Sequence, residues 1–209
     1  KYHLNILGGD TVCTEGPMVW TVTIIGDVPK GTAIMRSGAQ VGDIVGITNY
    51  VGYAATGLGA LSYNLDGYHM TKVGHQRPDP QIELGQQLRQ LGIHSMNDIS
   101  DGLGSELNEI ASASNVSIVI EEKAIPLHEE TYELAKYLQT NPVDYALYGG
   151  EDFQLVFTAP KSLLSKLENL AGITIIGEVV SGPAQVQMVT PDKTIKTIEA
   201  KGYNHFHES

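Results

Sequence analysis

From residue 43 onward the sequence switches repeatedly between short apolar runs and segments of helical spacing, and this alternation restricts the fold more than any other feature. Asp43 to Thr48 reads as a strand, Gly52 to Leu65 as a helix of small residues and Gln81 to Leu91 as a helix by composition. Ser95 to Ile99 is a short strand that runs into another helix starting near Asp101. Leu103, Leu107, Ile110 and Ala111 recur at helical spacing there, which gives that helix one buried face. Val116 to Ile120 reads as a strand, Glu129 to Gln139 as a helix, Asp152 to Thr158 as a strand and Ser162 to Leu170 as a helix. A hairpin is expected from Ala184 to Ile198, turning at Pro191-Asp192-Lys193. Strands interleaved with helices bury their apolar faces by layering, so residues from about 32 onward are expected to form one α/β (α+β) domain.

The preceding residues read differently. Tyr2 to Leu7 and Met18 to Val28 have strand character, the second alternating Val19, Thr21, Thr23 against Trp20, Val22, Ile24, and the two are expected to pair. Between them Gly8-Gly9-Asp10-Thr11 suits a turn whose backbone approaches a ligand. The sequence opens at Lys1 directly on an apolar strand, without an initiator Met or a signal peptide layout, which suggests that upstream residues are absent.

Charge and cysteine content narrow the function classes. Lys plus Arg total 13 against 24 Asp plus Glu, a formal net charge of -11, which argues against general affinity for nucleic acid or an anionic membrane. No apolar run reaches the roughly 18 residues of a membrane span. Cys13 has no second cysteine to pair with, consistent with a reducing, cytoplasmic setting. Gly52-x-x-x-x-Gly57 is followed by Leu58-Gly59, which excludes a P-loop, and Gly57-x-Gly59-x-x-Ser62 lacks the third glycine of a dinucleotide fingerprint. Zinc-type cysteine or histidine spacings and the Gly-x-Ser-x-Gly elbow are missing as well.

The chemistry-bearing element is Asp98-Ile99-Ser100-Asp101-Gly102-Leu103, two carboxylates three residues apart where a strand passes into a helix. Like charges this close repel, and a hard divalent cation between them reverses the sign, while the helix N-terminus favours phosphate. Ser100 or Asp101 acting merely as a helix cap is the plainer alternative. Gly9-Asp10-Thr11 and Gly149-Gly150-Glu151-Asp152 repeat the glycine-acid theme, or are ordinary turn and loop sequences. Arg36, Arg77 and Arg89 are the only arginines, so anionic ligands are expected to be held through metal ions rather than by a basic cradle. Arg36 itself is either a phosphate contact or a solvated loop cation. His75-x-Arg77-Pro78-x-Pro80 reads as a stiff polar loop, and Gly202-Tyr203-Asn204-His205-Phe206 as an aromatic anchor or a stacking surface for a planar ring.

In order along the chain, Gly8-Gly9-Asp10-Thr11, Thr21-Val22-Thr23-Ile24-Ile25-Gly26, Arg36-Ser37-Gly38-Ala39, His75-x-Arg77-Pro78, Asp98-Ile99-Ser100-Asp101-Gly102-Leu103, Tyr148-Gly149-Gly150-Glu151-Asp152-Phe153 and Gly202-Tyr203-Asn204-His205-Phe206 resemble the thiamine-monophosphate kinases of the aminoimidazole-ribonucleotide synthetase superfamily. The resemblance implies magnesium-dependent transfer of the γ-phosphoryl group of ATP directly onto thiamine monophosphate, giving thiamine diphosphate. It implies that Asp10, Asp98 and Asp101 hold magnesium, Asp98 and Asp101 being the catalytic pair. Gly9, Asp10, Arg36 and Ser100 would serve the nucleotide, and Glu151 and Tyr203 the thiamine phosphate. The implied fold is a C-terminal mixed-sheet α/β domain over residues 31–209, preceded in 1–30 by the last strands of an N-terminal sheet domain that pairs between subunits of a homodimer. Without the rest of that sheet the first strands would present open edges, so the chain is expected to dimerise, swap or be held by a separate fragment. Asn49, Gln81 and Gln154 depart from the family's usual glycine, basic residue and glutamate. Two other readings are a binding or dimerisation fragment without turnover, and a sister enzyme with another acceptor, such as aminoimidazole-ribonucleotide synthetase, selenophosphate synthetase or the hydrogenase-maturation dehydratase.

Overall fold

The computed structural model describes residues 4–201. Its sheet is built from β1 (Asp43–Thr48), β2 (Ser95–Asp98), β3 (Ser117–Glu121), β4 (Leu155–Pro160), β5 (Ile173–Val180), β6 (Gln185–Val189) and β7 (Ile195–Ile198), in the spatial order β2-β4-β1-β5-β3-β6-β7. Neighbours run antiparallel except β3 and β6, which are parallel. The helices are α1 (Tyr53–Ser62), α2 (His69–Gln76), α3 (Ile82–Leu91), α4 (Leu103–Ser114), α5 (Glu129–Leu138), α6 (Pro142–Tyr148) and α7 (Leu164–Glu168).

The expectation of a mixed α/β domain holds, and the reason is visible at β1, where every residue is buried. A strand covered on both faces carries apolar side chains at consecutive positions instead of alternating them with polar ones. Val45 and Ile47 join Leu103, Leu107 and Ile110 of α4 and Ala146 and Leu147 of α6 in one core. Ile44 joins Leu88 of α3, Phe157 and Ala159 of β4 and Leu167 of α7 in the other. Two apolar layers therefore sandwich the sheet, and each fully buried Leu or Ile contributes about 1.5–3 kcal/mol relative to exposure. The small residues Ala54, Thr56, Gly57 and Ala60 form the buried side of α1, which packs on α2 and α5.

Several expectations are corrected. The described residues before β1 contain no strand: the segments 4–7 and 18–28 are exposed throughout, with Trp20 at 84%. A strand exists only as a member of a ladder, and among the described residues nothing pairs with these segments. Chain contacts with the domain set in later, at Arg89 Nη1 donating to Thr32 Oγ1 (3.1 Å) and Met96 N–H donating to the Met35 carbonyl (3.1 Å). His75 lies in the last turn of α2 and Arg77 ends that helix, so the polar stretch expected as a loop is helical up to the point where Pro78 forbids continuation. The helix expected over Ser162 to Leu170 is a 3-10 turn at Lys161–Leu163 followed by the short α7. α6 and β5 were not anticipated, although α6 carries an Asn141 cap on Val143 N–H (3.2 Å) and Pro142 at its first turn.

Candidate functional site

The strand-to-helix motif folds as its sequence implies. β2 ends at Asp98, Gly102 at φ 95° makes the turn, and α4 begins at Leu103. The antiparallel pairing of β2 with β4 continues past the strand ends: Ile99 N–H donates to Gln154 O (2.7 Å), Phe153 N–H to Ile99 O (2.9 Å) and Glu151 N–H to Ser100 O (2.8 Å). That extended ladder lays the Asp98 to Asp101 turn beside the Gly149 to Asp152 segment. Gly150 is required by the closeness, since a Cβ there would stand 2.4 Å from the Ser100 carbonyl oxygen. Glu151 and Phe153 adopt φ of 68° and 49°, a conformation that costs a non-glycine residue of order 1 kcal/mol or more each.

The acids around this junction divide into outward and inward ones. Asp98, Asp101 and Glu151 are exposed. Neither aspartate side chain makes a hydrogen bond or an ion pair among the described residues. Asp152 points inward and is 4% exposed, accepting from Gly52 N–H (2.5 Å) and Ala54 N–H (2.9 Å), so it caps α1 from the segment that precedes β4. Burial pushes its carboxyl up to about 6, against the pull of the Ala54, Gly52 and Tyr53 N–H groups.

Glu106, on the first turn of α4, is 3% exposed and accepts from Asp101 N–H (3.2 Å), the Ser100 hydroxyl (3.4 Å) and the Asn97 amide. Burial raises its carboxyl above the ordinary value, the Asp101 N–H opposes this, and the charges of Glu109, Asp98 and Asp101 add to the rise. Arg36 closes the group: its Nε donates to Asn97 Oδ1 (3.0 Å) and its Nη1 pairs with Glu109 (2.9 Å).

The sequence pattern of the AIR synthase related protein, C-terminal domain, matches residues 40–189, which spans the sheet from β1 through β6. The chain belongs to the AIR synthase related protein family. Within it, the chain is 38% identical to the thiamine-monophosphate kinase of Bacillus subtilis (strain 168), over 98% of this chain and 65% of that protein. It is 35% identical to the thiamine-monophosphate kinase of Haemophilus influenzae, over 100% of this chain and 66% of that protein. Among solved structures, AaThiL complexed with AMPPCP and TMP superposes with a TM-score of 0.72 at 33% identity, covering 83% of this chain and 54% of that one. The chain thus spans a little under two thirds of the length of these curated relatives.

Read as a member of the AIR synthase related family, the chain brings some of the expected site residues together and not others. Asp98, Ser100, Asp101 and Glu151 share the junction, with Arg36 one residue layer away through Asn97. Gly9 and Asp10 lie in the exposed segment; among the described residues Asp10 accepts only from Thr11 N–H (2.8 Å), and residues 4–26 hydrogen-bond only among themselves. Tyr203 lies outside the described residues. Arg36 is neither free nor simply solvated, because Asn97 and Glu109 engage it. Glu106 and the capping role of Asp152 escaped the sequence reading. Glu106 carried a signal, a carboxylate inside the stripe Leu103, Leu107, Ile110 that is otherwise apolar.

No three ligating side chains gather around one point among the described residues. Two exposed, unpartnered carboxylates three residues apart are nonetheless the donor set that suits magnesium, which takes one or two carboxylates and completes its shell with phosphate oxygens and water. Among the described residues no helix is long and apolar enough to cross a membrane.

Proposed function

We propose that this chain forms the larger part of a thiamine-monophosphate kinase that transfers the γ-phosphoryl group of ATP directly onto thiamine monophosphate, giving thiamine diphosphate. The observation that carries this reading is the main-chain fastening of the Asp98 to Asp101 turn beside Glu151, in a chain 35–38% identical to two named kinases of that activity. In-line phosphoryl transfer depends on positioning and charge neutralisation rather than on a protein nucleophile, and the junction offers carboxylates and backbone in place of one. Asp98 and Asp101 would hold magnesium, joined by Asp10; when bound, the metal neutralises the charge of the phosphates. Ser100, Gly9 and Arg36 would position the nucleotide, Arg36 by exchanging its Glu109 partner for phosphate. Glu151 and Tyr203 would hold the thiamine phosphate.

The same reading assigns residues 1–30 to the end of an N-terminal sheet domain and 31–209 to the C-terminal domain, in a cytoplasmic homodimer. The exposed apolar side chains of residues 4–28, from Leu4 to Val28, fit a segment that finds its ladder in a neighbouring chain or segment. They favour a second reading for the 209 residues taken alone, a piece that binds thiamine monophosphate without turning it over.

The test is transfer of labelled γ-phosphate from ATP with magnesium to a panel of acceptors, using this chain and the whole protein side by side. Label in thiamine diphosphate is the expected result. A folded whole protein that labels a different acceptor, and leaves thiamine monophosphate untouched, moves the assignment to a sister activity.

A further inference from the structure

Glu106 is 3% exposed, and its carboxylate is one of the few among the described residues that the fold removes from water. A buried carboxylate is stable only when its oxygens are satisfied. Here Oε1 takes the Asp101 N–H (3.2 Å) and the Ser100 hydroxyl (3.4 Å), both from within the acid turn, while Oε2 takes the Asn97 amide on the strand that leads into it. Asn97 in turn presents Oδ1 to Arg36 Nε (3.0 Å). The turn that carries two mutually repelling carboxylates is thereby tied down by neutral donors, and among the described residues no lysine or arginine pairs with Asp98 or Asp101. A cation in that place would compete with a metal for the same oxygens.

We infer that Glu106 is a positioning residue: it fixes the direction of Asp98 and Asp101 through Ser100 and Asp101 N–H, and through Asn97 it sets where Arg36 stands. The inference rests on the kinase reading for what the turn binds and on the geometry alone for how the turn is held. Ordinary helix capping accounts for the Asp101 N–H contact but not for the oxygen turned back to Asn97 and, beyond it, Arg36.

The experiment uses the whole protein in three forms, wild type, Glu106→Gln and the exchange Asn97→Asp with Glu106→Gln. Glutamine offers one acceptor and one donor where glutamate offers two acceptors, so a single replacement sets a donor against either Asn97 or the turn. In the exchange, the new carboxylate at 97 accepts from the glutamine and still accepts from Arg36; it gives up the long Asn97 amide contact to Glu109 (3.4 Å), but Arg36 stands between the two carboxylates and the net charge of the group is unchanged. The readout is the affinity for Mn2+ in the presence of AMPPCP, followed by electron paramagnetic resonance, alongside the melting temperature. Loss of a residue that orients metal ligands weakens binding about 10- to 100-fold, so Glu106→Gln is expected to bind Mn2+ at least about tenfold more weakly and the exchange to recover most of that loss.

A lowered melting temperature with wild-type Mn2+ affinity overturns the inference and leaves Glu106 a purely structural residue. An exchange no better than the single variant overturns the link through Asn97. If Glu106→Gln fails to fold, Glu106→Asp, which keeps both acceptors but is one methylene shorter, is expected to show an intermediate loss, and unchanged affinity there overturns the inference as well. Wild-type protein that binds Mn2+ with AMPPCP but transfers nothing to thiamine monophosphate refutes the kinase reading while leaving the role of Glu106 standing. Wild-type protein that binds no Mn2+ refutes both.

Discussion

The N–H of Glu151 donates to the carbonyl of Ser100 at 2.8 Å, so two acid-bearing turns that are 51 residues apart in sequence are joined by main chain rather than by their side chains. Gly150 makes the approach feasible. Gly150→Ala would set a Cβ 2.4 Å from the Ser100 oxygen, which forces the turns apart. Overpacking of this kind costs about 1–3 kcal/mol. A drop in denaturant midpoint together with lost γ-phosphate transfer is expected, and retention of both would mean that the turns separate without consequence.

Asp98 is exposed and has no hydrogen bond or ion pair among the described residues, so Asp98→Asn should leave stability within about 0.5 kcal/mol. On the proposed kinase reading, the same change in the whole protein is expected to lower kcat by about 100-fold or more, as removal of a transition-state charge partner does. Thermal melting and steady-state transfer assays check the two halves separately. Normal turnover would remove Asp98 from the metal-holding role.

Asp152 gives a pH dependence of unusual sign. Its carboxyl is pushed from 3.8 up to about 6 in the folded protein, so between those values the native state holds a proton that the unfolded chain has released. Its contribution to stability therefore falls as pH rises from about 4 to about 6 and is constant above that, with a slope of at most about 1.4 kcal/mol per pH unit. Asp152→Asn should remove this slope from chemical denaturation series. Parallel wild-type and variant curves over that range would show that Asp152 stays ionised.

Glu130 behaves oppositely. Burial works against its charge, but the Thr71 N–H (2.8 Å), the Thr71 hydroxyl (2.7 Å) and the Met70 N–H (3.2 Å) outweigh that and hold its carboxyl below the usual 4.5. It caps α2 from α5, since α2's own N-cap residue, Tyr68, contributes no side-chain hydrogen bond. Glu130→Ala is expected to cost about 1 kcal/mol at neutral pH. The wild-type advantage is full above about pH 4.5 and shrinks as pH falls through the lowered value, so variant and wild type should converge in acid unfolding. A constant gap would point to lost packing instead.

Among the elements legible in the sequence, β1 shows as a short run of apolar residues, while others carry a one-sided stripe or a marked turn. α4 shows its stripe of Leu103, Leu107, Ile110 and Ala111, and the β6–β7 hairpin shows its Pro191-Asp192-Lys193 turn. β5 was missed because Ile173–Val180 lies between β1 and β3 and shows no clean alternation of apolar and polar residues. The early segments have strand periodicity but no partner among the described residues, and periodicity records only the face a strand would bury. At the site, the exposed acids Asp98, Asp101 and Glu151 stood out by type and spacing. The inward carboxylates Glu106 and Asp152 did not, since their partners, Asn97 and the start of α1, become neighbours only through the tertiary fold.

β1 sits between β4 and β5, yet more than a hundred residues separate Thr48 from Leu155. On the ribosome, at about 5–20 residues per second, this strand, buried on both faces in the finished domain, waits roughly 5–20 s before either neighbour has been made. Completion of the sheet is thus a late event in synthesis, and a chain halted before β4 would leave β1 bare to chaperones and proteases.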